Sequence, residues 1–213
     1  YYPGQFIPIF ENNGFCDVLD LYMVEKVCRQ IREWIDQGKE PLPLSVNQSK
    51  LLFYEADYID NMKALLEKYQ IPASMVTLEI LEGLAMKNVE ELNERIARLT
   101  EMGFKVSMDD FGSGYSSLNT LASLRINELK IDREFLLRLQ KPGEDHKRQI
   151  TIMNKVVELT KELKIKTVVE GVENEEDEKL VQKMGCDQGQ GYYYSRPVSA
   201  EEFSEKYIVE RIP

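Results

Sequence analysis

The hydrophobic positions of the chain follow two spacings that alternate along its length. Short apolar runs bounded by polar and turn residues predict β-strands at LPLSVN (42–47), VTLEI (76–80), FKVSM (104–108), INELKID (126–132), IKTVVE (165–170) and, more weakly, near CDQGQGYYY (186–194). Apolar residues spaced by three and four predict helices over 18–35, 58–69, 89–102, 150–163 and 175–184. Because strands separated by helices pair in parallel, the sequence predicts an α/β protein.

Nearly every predicted strand ends in a polar side chain. These residues are Asn47, Glu79, Asp109 with Asp110, Lys130, Glu170 and, after the last strand, Gln190. In a barrel of parallel strands the carboxyl ends open on one face, so we expect these side chains to converge there. One polar ending is common in a turn, whereas acids at several strand ends indicate a shared site.

The chemistry of this set favours a hard metal ion. Carboxylates, an amide and a lysine, without histidine, suit Mg²⁺ or Mn²⁺ better than Zn²⁺. Two adjacent aspartates allow one carboxylate to bridge two ions while the next binds one, which is the arrangement of two-metal phosphoester hydrolysis. The alternative is that Asp110 and Gly112 are ordinary residues of a solvated turn.

Composition narrows the class of protein. The 213 residues, 43% hydrophobic, suffice for a sizeable core, and no linker-like segment divides them, so we expect one domain over residues 1–213. A formal charge of −10 argues against binding to a nucleic acid polymer. No apolar run approaches the roughly 18 residues of a membrane helix, so we expect no membrane segment in this chain.

The cysteines and the single histidine exclude further classes of site. Cys16, Cys28 and Cys186 are odd in number and form no CxxC pair, which suits reduced packing residues in a cytoplasmic protein. His146 lies in a polar stretch and is the only histidine. Catalytic triads built on histidine and His-rich zinc sites are therefore excluded.

The motifs in this order resemble a known family. The segments that carry the resemblance are FIPIFENNGF (6–15), SVNQS (45–49), LEILE (78–82), DDFGSGYSSL (109–118), LKID (129–132), VVEGVE (168–173) and GCDQGQGYYYSRP (185–197). Together they resemble the EAL domain, a bacterial phosphodiesterase domain that opens cyclic di-GMP to the linear dinucleotide pGpG. The resemblance implies a TIM-type (β/α)8 barrel, a cytoplasmic signalling role and two Mg²⁺ or Mn²⁺ ions.

The resemblance also implies a role for each matched residue. Asn47, Glu79, Asp109, Asp110 and Glu170 correspond to metal ligands. Lys130 would orient the attacking water, and Glu170 is matched to an acid proposed as ligand or base. Gln190 would hold the substrate, and Glu82 would anchor the loop that begins at Asp109. Two simpler interpretations stay open: Lys130 as a surface lysine, and Gln190 with Tyr192–Tyr194 as packing residues.

The sequence departs from the family pattern in places. The Glu-Ala-Leu motif, a further metal-binding glutamate and the first two strands are expected before Tyr1. We therefore expect the domain to be N-terminally incomplete, and residues 1–213 alone to hydrolyse cyclic di-GMP slowly or not at all. Leu81 and Gly83 replace hydroxylated residues beside Glu82, and Asn127 stands where an aspartate is common.

Three functions are therefore compared. The first is a metal-dependent cyclic di-GMP phosphodiesterase, and the second is a degenerate EAL domain that binds cyclic di-GMP or a protein without hydrolysis. The third is a metal-dependent enzyme of different specificity on the same barrel. Homodimerisation and accessory sensory or cyclase domains in the parent protein are compatible with all three.

Overall fold

The computed structural model describes residues 3–86, 88–112, 118–140 and 144–210. The helices are α1 (Pro3–Asn13), α2 (Cys16–Asp36), α3 (Lys50–Phe53), α4 (Tyr58–Tyr69), α5 (Val89–Glu101), α6 (Leu118–Ser123), α7 (Arg133–Gln140), α8 (Glu144–Glu162), α9 (Glu175–Met184) and α10 (Ala200–Tyr207). The strands are β1 (Lys39–Glu40), β2 (Leu44–Gln48), β3 (Val76–Leu81), β4 (Lys105–Phe111), β5 (Glu128–Ile131), β6 (Lys166–Glu170), β7 (Gln188–Gln190) and β8 (Val209–Glu210).

All six predicted strands are present, as β2 to β7, and the five predicted helices are present as α2, α4, α5, α8 and α9. The prediction of an α/β protein with parallel pairing is therefore confirmed. The glycine-rich turn predicted after Asp110 continues through residues 113–117, which lie outside the described residues, as does the side chain of His146.

The chain divides into two compact units. The first comprises residues 1–81, 97–105 and 199–213. In it, β2 pairs in parallel with β3, and the pairing buries Val46, Leu78 and Ile80. Trp34 of α2 is buried and stacks on Phe203 of α10 with ring centroids 5.9 Å apart. The two-residue strands β1 and β8 pair antiparallel.

The second unit comprises residues 82–96 and 106–198. Its strands β4, β5, β6 and β7 form parallel pairs in sequence order. Buried apolar residues of these strands, among them Val106, Leu129 and Val169, form its core. Parallel pairing places the carboxyl ends of all four strands at one edge, so residues distant in sequence meet there.

Helix α9 shows how local sequence sets the boundaries of these elements. The side chain of Asn174 accepts a hydrogen bond from the amide of Asp177 and caps the first turn. Four acidic residues occupy that turn, where the helix dipole favours negative charge. Gly185 ends the helix at φ 73°, a left-handed conformation that glycine adopts without steric cost.

The cysteines agree with a packing role. Cys16 and Cys28 are buried, and no disulfide joins the three cysteines. Burial raises the pKa of Cys28 and of Cys186 to about 11, so both stay protonated and unreactive near neutral pH. Among the described residues, no helix combines the length and apolar character that a membrane crossing requires.

Candidate active site

An irregularity in β4 brings Asp109 and Asp110 to the same place. Met108 pairs with Leu129 and Phe111 with Ile131, so the two aspartates lie opposite the single residue Lys130 of β5. Adjacent side chains of a regular strand point to opposite faces, and a bulge of this kind re-aims one of them. Asp110 adopts φ 59°, a left-handed conformation that aspartate tolerates better than most residues.

The bulge assembles three carboxylates at the carboxyl edge of the second unit. Oxygen atoms of Asp109, Asp110 and Glu170 lie within 4.8 Å of one another. The backbone amide of Asp110 donates to Oδ1 of Asp109 at 3.0 Å and fixes that carboxylate relative to the chain. The predicted convergence of β4 and β6 strand ends is thus present, and we name Asp109, Asp110 and Glu170 the acidic cluster.

Lys130 is buried within this cluster. Its Nζ lies 3.0 Å from Oδ1 of Asp109 and 2.8 Å from Oε1 of Glu170, and only 6% of its side chain is exposed. The open interpretation of Lys130 as a surface lysine is therefore wrong. A lysine is seldom buried unless it is paired, and this one is paired twice.

The acidic cluster carries more negative charge than Lys130 neutralises. Three carboxylates and one ammonium leave a formal charge of −2. Burial, followed by the negative charges of Asp109, Asp132 and Glu170, raises the pKa of Asp110, and Lys130 opposes this only in part. A group of oxygen donors with excess negative charge and partial burial fits a hard divalent cation such as Mg²⁺ or Mn²⁺.

Two other predicted ligands meet in the first unit. Asn47 and Glu79 are direct neighbours in the register of β2 and β3, and Glu79 is 8% exposed whereas Asn47 is exposed. The next residue, Gln48, is buried, accepts a hydrogen bond from the hydroxyl of Tyr58 at 2.8 Å and donates to the carbonyl of Asn47 at 2.7 Å. These bonds hold the end of β2 in place.

Gln190 and the tyrosines after it lie at the surface. Gln190 is the register partner of Glu170, and its side chain is exposed. Tyr192, Tyr193 and Tyr194 are each 41–52% exposed, so they are not core residues. The guanidinium carbon of Arg196 lies 4.5 Å from the ring centroid of Tyr192, a cation–π contact.

Glu82 occupies the position expected of a structural acid. It follows β3 directly, begins a short 3-10 segment (Glu82–Met86) and is 5% exposed. The loop that it was predicted to anchor runs into residues 113–117, outside the described residues. Its anchoring role stays a prediction.

Sequence reasoning missed one contact beside the acidic cluster. No role is assigned to Glu173 from the sequence, yet its Oε1 lies 2.8 Å from Nη2 of Arg133. One sequence signal was available: Arg133 follows Lys130 by three residues, and Glu173 follows Glu170 by three. The two ion pairs therefore repeat one spacing on neighbouring strand ends.

Comparison with known proteins supplies the family. The family model for the EAL domain matches residues 1–197. The chain belongs to the EAL domain family. The signalling protein YkoW of Bacillus subtilis is 34% identical over 98% of this chain. The bifunctional diguanylate cyclase/cyclic di-GMP phosphodiesterase MucR of Pseudomonas aeruginosa is 36% identical over 94% of it.

A solved structure extends the comparison to the fold. The PaMucR phosphodiesterase in complex with c-di-GMP superposes with a TM-score of 0.86 at 35% identity and covers 94% of this EAL chain and 80% of its own. This similarity confirms the predicted fold class, an α/β fold of the EAL kind. The chain spans 25% of YkoW and 29% of MucR, so it corresponds to about a quarter of the curated relatives' length.

Proposed function

We propose that this EAL domain is a metal-dependent phosphodiesterase that hydrolyses cyclic di-GMP to linear pGpG. The observation that carries the proposal is the buried Lys130 ammonium among the carboxylates of Asp109, Asp110 and Glu170. A structural ion pair would need one carboxylate for one lysine. The cluster has three carboxylates, so the surplus can hold divalent cations. The cations and the lysine together can then offset the negative charge of a phosphodiester.

The ligand assignment follows from the donor set. Asp109, Asp110 and Glu170 would hold Mg²⁺ or Mn²⁺. The assignment of Asn47 and Glu79 as metal ligands stays a prediction from the family resemblance. Bound there, such an ion neutralises charge on the phosphodiester and lowers the pKa of a water molecule. Oxygen ligation without nitrogen or sulfur agrees with the preference of both ions.

In this proposal, side chains of the protein orient the attacking water and accept its proton. Lys130 donates towards Asp109 and Glu170, and in our proposal its ammonium also orients the attacking water. Glu170 accepts the proton that the water loses. The water oxygen then bonds to phosphorus, and the bond from phosphorus to the 3′ oxygen breaks. That oxygen takes up a proton from solvent, and Glu170 returns its proton to solvent. Gln190, beside Glu170 in the register, would position the substrate.

Release of pGpG from cyclic di-GMP tests the proposal. We would measure it chromatographically with Mg²⁺, with Mn²⁺ and with a chelator. We expect hydrolysis that depends on the cation. Binding of cyclic di-GMP without hydrolysis would instead favour the binding module.

Location and partners are part of the same proposal. We infer a cytoplasmic signalling domain, because no disulfide joins the three cysteines and the relatives named above include a signalling protein and a cyclic di-GMP enzyme. The accessory domains and the homodimer expected from the family stay predictions.

A further inference from the structure

Two ion pairs join the end of β5 to the end of β6. The inner pair joins the buried Lys130 to the partly buried Glu170 in the acidic cluster. The outer pair, Arg133 Nη2 with Glu173 Oε1, spans 2.8 Å, and its side chains are 50% and 42% exposed. Since each outer residue lies three positions beyond its inner counterpart, the outer pair connects the two chain segments immediately after they leave the sheet.

The stem of Arg133 also lies against the backbone next to Glu170. Gly171 follows Glu170 and adopts φ 76°, a left-handed conformation. A Cβ at residue 171 would collide with Cγ of Arg133 and lie 2.7 Å from its Cβ and 2.9 Å from its Cδ. Glycine is therefore required here both for the backbone conformation and for the close approach of Arg133.

The segment 171–173 is held on its other sides by β7 and α9. The amide of Val172 donates to the carbonyl of Gln190 at 3.1 Å, and a Cβ at Gly191 would collide with the backbone of Val172. The amide of Glu173 donates to Oδ2 of the buried Asp177 at 3.0 Å. Arg133 thus supplies the contact from the β5 side, where Lys130 also lies.

We propose that Arg133, Gly171 and Glu173 form a clasp in which Arg133 is a positioning residue for Glu170. The inference rests on the proposed function, because the consequence of positioning Glu170 is read as catalysis. A half-exposed ion pair contributes little to stability, so the clasp acts through geometry. A displacement of about 1 Å at a reacting group is enough to lower a rate by up to about 10²-fold.

Kinetics of matched variants test the clasp. We expect Arg133→Ala and Glu173→Gln each to lower kcat about tenfold with KM within about threefold, and the double variant to lose no more than either one. Arg133→Lys, which keeps the stem and the cation, should recover most of kcat. The control Lys155→Ala breaks an exposed pair with Glu158 (2.6 Å) elsewhere in this unit and should leave kcat unchanged. A wild-type kcat in Arg133→Ala, or an equal loss in the control, would overturn the clasp.

Amide hydrogen exchange separates failure of the clasp from failure of the proposed function. In metal-free protein without substrate, peptides covering 171–173 should exchange at least about tenfold faster in Arg133→Ala than in wild type or Lys155→Ala. If the wild type does not hydrolyse cyclic di-GMP, the proposed function fails and exchange alone decides the clasp. An exchange rate in Arg133→Ala equal to that of wild type would overturn the clasp. Faster exchange in Arg133→Ala together with a wild-type kcat would overturn the positioning role of Arg133.

Discussion

The two edges of the β4–β7 sheet use polar residues in opposite ways. At the amino edge the side chains of Asn127, Thr167 and Asp187 have matched hydrogen-bond partners. Asn127 Oδ1 accepts from the amide of Val106 at 2.8 Å, and Asp187 Oδ2 accepts from the amide and hydroxyl of Thr167 at 2.8 and 2.9 Å. The Thr167 hydroxyl in turn accepts from the amide of Asp187 at 3.0 Å.

The carboxyl edge has no such balance. Asp109, Asp110 and Glu170 share the single ammonium of Lys130, and the pKa of Asp110 is raised by burial and by the other acids. Matched hydrogen bonds stabilise a fold, whereas unbalanced charge at a strand-end edge lowers stability unless a ligand compensates for it. The comparison indicates that the named polar groups of the amino edge are structural, and it supports the proposal that the carboxyl edge binds a cation.

The largest effect is expected from Lys130 at the carboxyl edge. Lys130→Ala should lower turnover by about 10²-fold or more while the affinity for cyclic di-GMP changes less, because the ammonium acts on the attacking water. Steady-state kinetics and equilibrium binding measure the two quantities. The control Lys166→Ala removes an exposed lysine at the amino edge of β6 and should change neither. Equal losses of turnover and affinity in Lys130→Ala would contradict the proposed role.

The next effect concerns cation affinity. Asp109→Ala and Asp110→Ala should each weaken Mn²⁺ binding by at least about tenfold, because each removes one carboxylate from the acidic cluster. Isothermal titration measures the affinity. Asp187→Asn removes the same charge at the amino edge and should bind Mn²⁺ as wild type does. Unchanged affinity in both cluster variants would remove these aspartates from the metal site.

At the amino edge we expect an effect on stability alone. Thr167→Val should lower the free energy of unfolding by about 1–3 kcal/mol, because the buried hydroxyl that bonds Asp187 is lost. Urea unfolding measures this change, and kcat of the folded variant should stay at the wild-type value. Thr151→Val removes an exposed hydroxyl bond and should cost much less. A large fall in kcat for Thr167→Val would break the distinction between the edges.

The smallest effect is a pH dependence from Asp110. Burial and the neighbouring acids raise the pKa of Asp110 in the folded protein above the ordinary value of an aspartate. Between the pKa of the unfolded state and that of the folded state, the native protein therefore binds more protons than the unfolded chain. This contribution to stability therefore falls as pH rises through that window and stays low above it. In metal-free protein at pH 7, Asp110→Asn should melt slightly higher than wild type, by no more than about 2 °C.

The pH series itself provides the check on that prediction. Below the pKa that Asp110 has in the unfolded state, wild type and Asp110→Asn both carry a neutral side chain at position 110. The difference between their melting temperatures should therefore vanish at such pH values. Thermal unfolding of both proteins in chelator, recorded from acid to neutral pH, measures it. A lower melting temperature for Asp110→Asn at pH 7 would contradict an excess of negative charge at this edge.

The sequence predicted much of the fold because the period of its apolar residues is a local property. Helices α4 and α9 begin and end at the predicted residues, and β2 to β7 are the six predicted strands. The two-residue strands β1 and β8 were missed, because so short a pair has no readable period. Their pairing joins residues about 170 positions apart, which only the tertiary fold determines.

The candidate site was predicted less completely. Strand ends identified Asp109, Lys130 and Glu170, because parallel strands must place their ends at one edge. The bulge opposite Lys130 and the left-handed backbone of Asp110 were not predictable, since strict alternation would separate the two aspartates. The Arg133–Glu173 pair was missed because charged residues after a strand are usually solvated.

The most direct test of the central claim, that the carboxyl edge binds a cation, is anomalous diffraction from crystals grown with Mn²⁺. The account predicts an anomalous peak within coordination distance of Asp109, Asp110 and Glu170, and none beside Asn127, Thr167 or Asp187 at the amino edge. Absence of any peak at the acidic cluster, with Lys130 still bonded to Asp109 and Glu170 at saturating Mn²⁺, would contradict it.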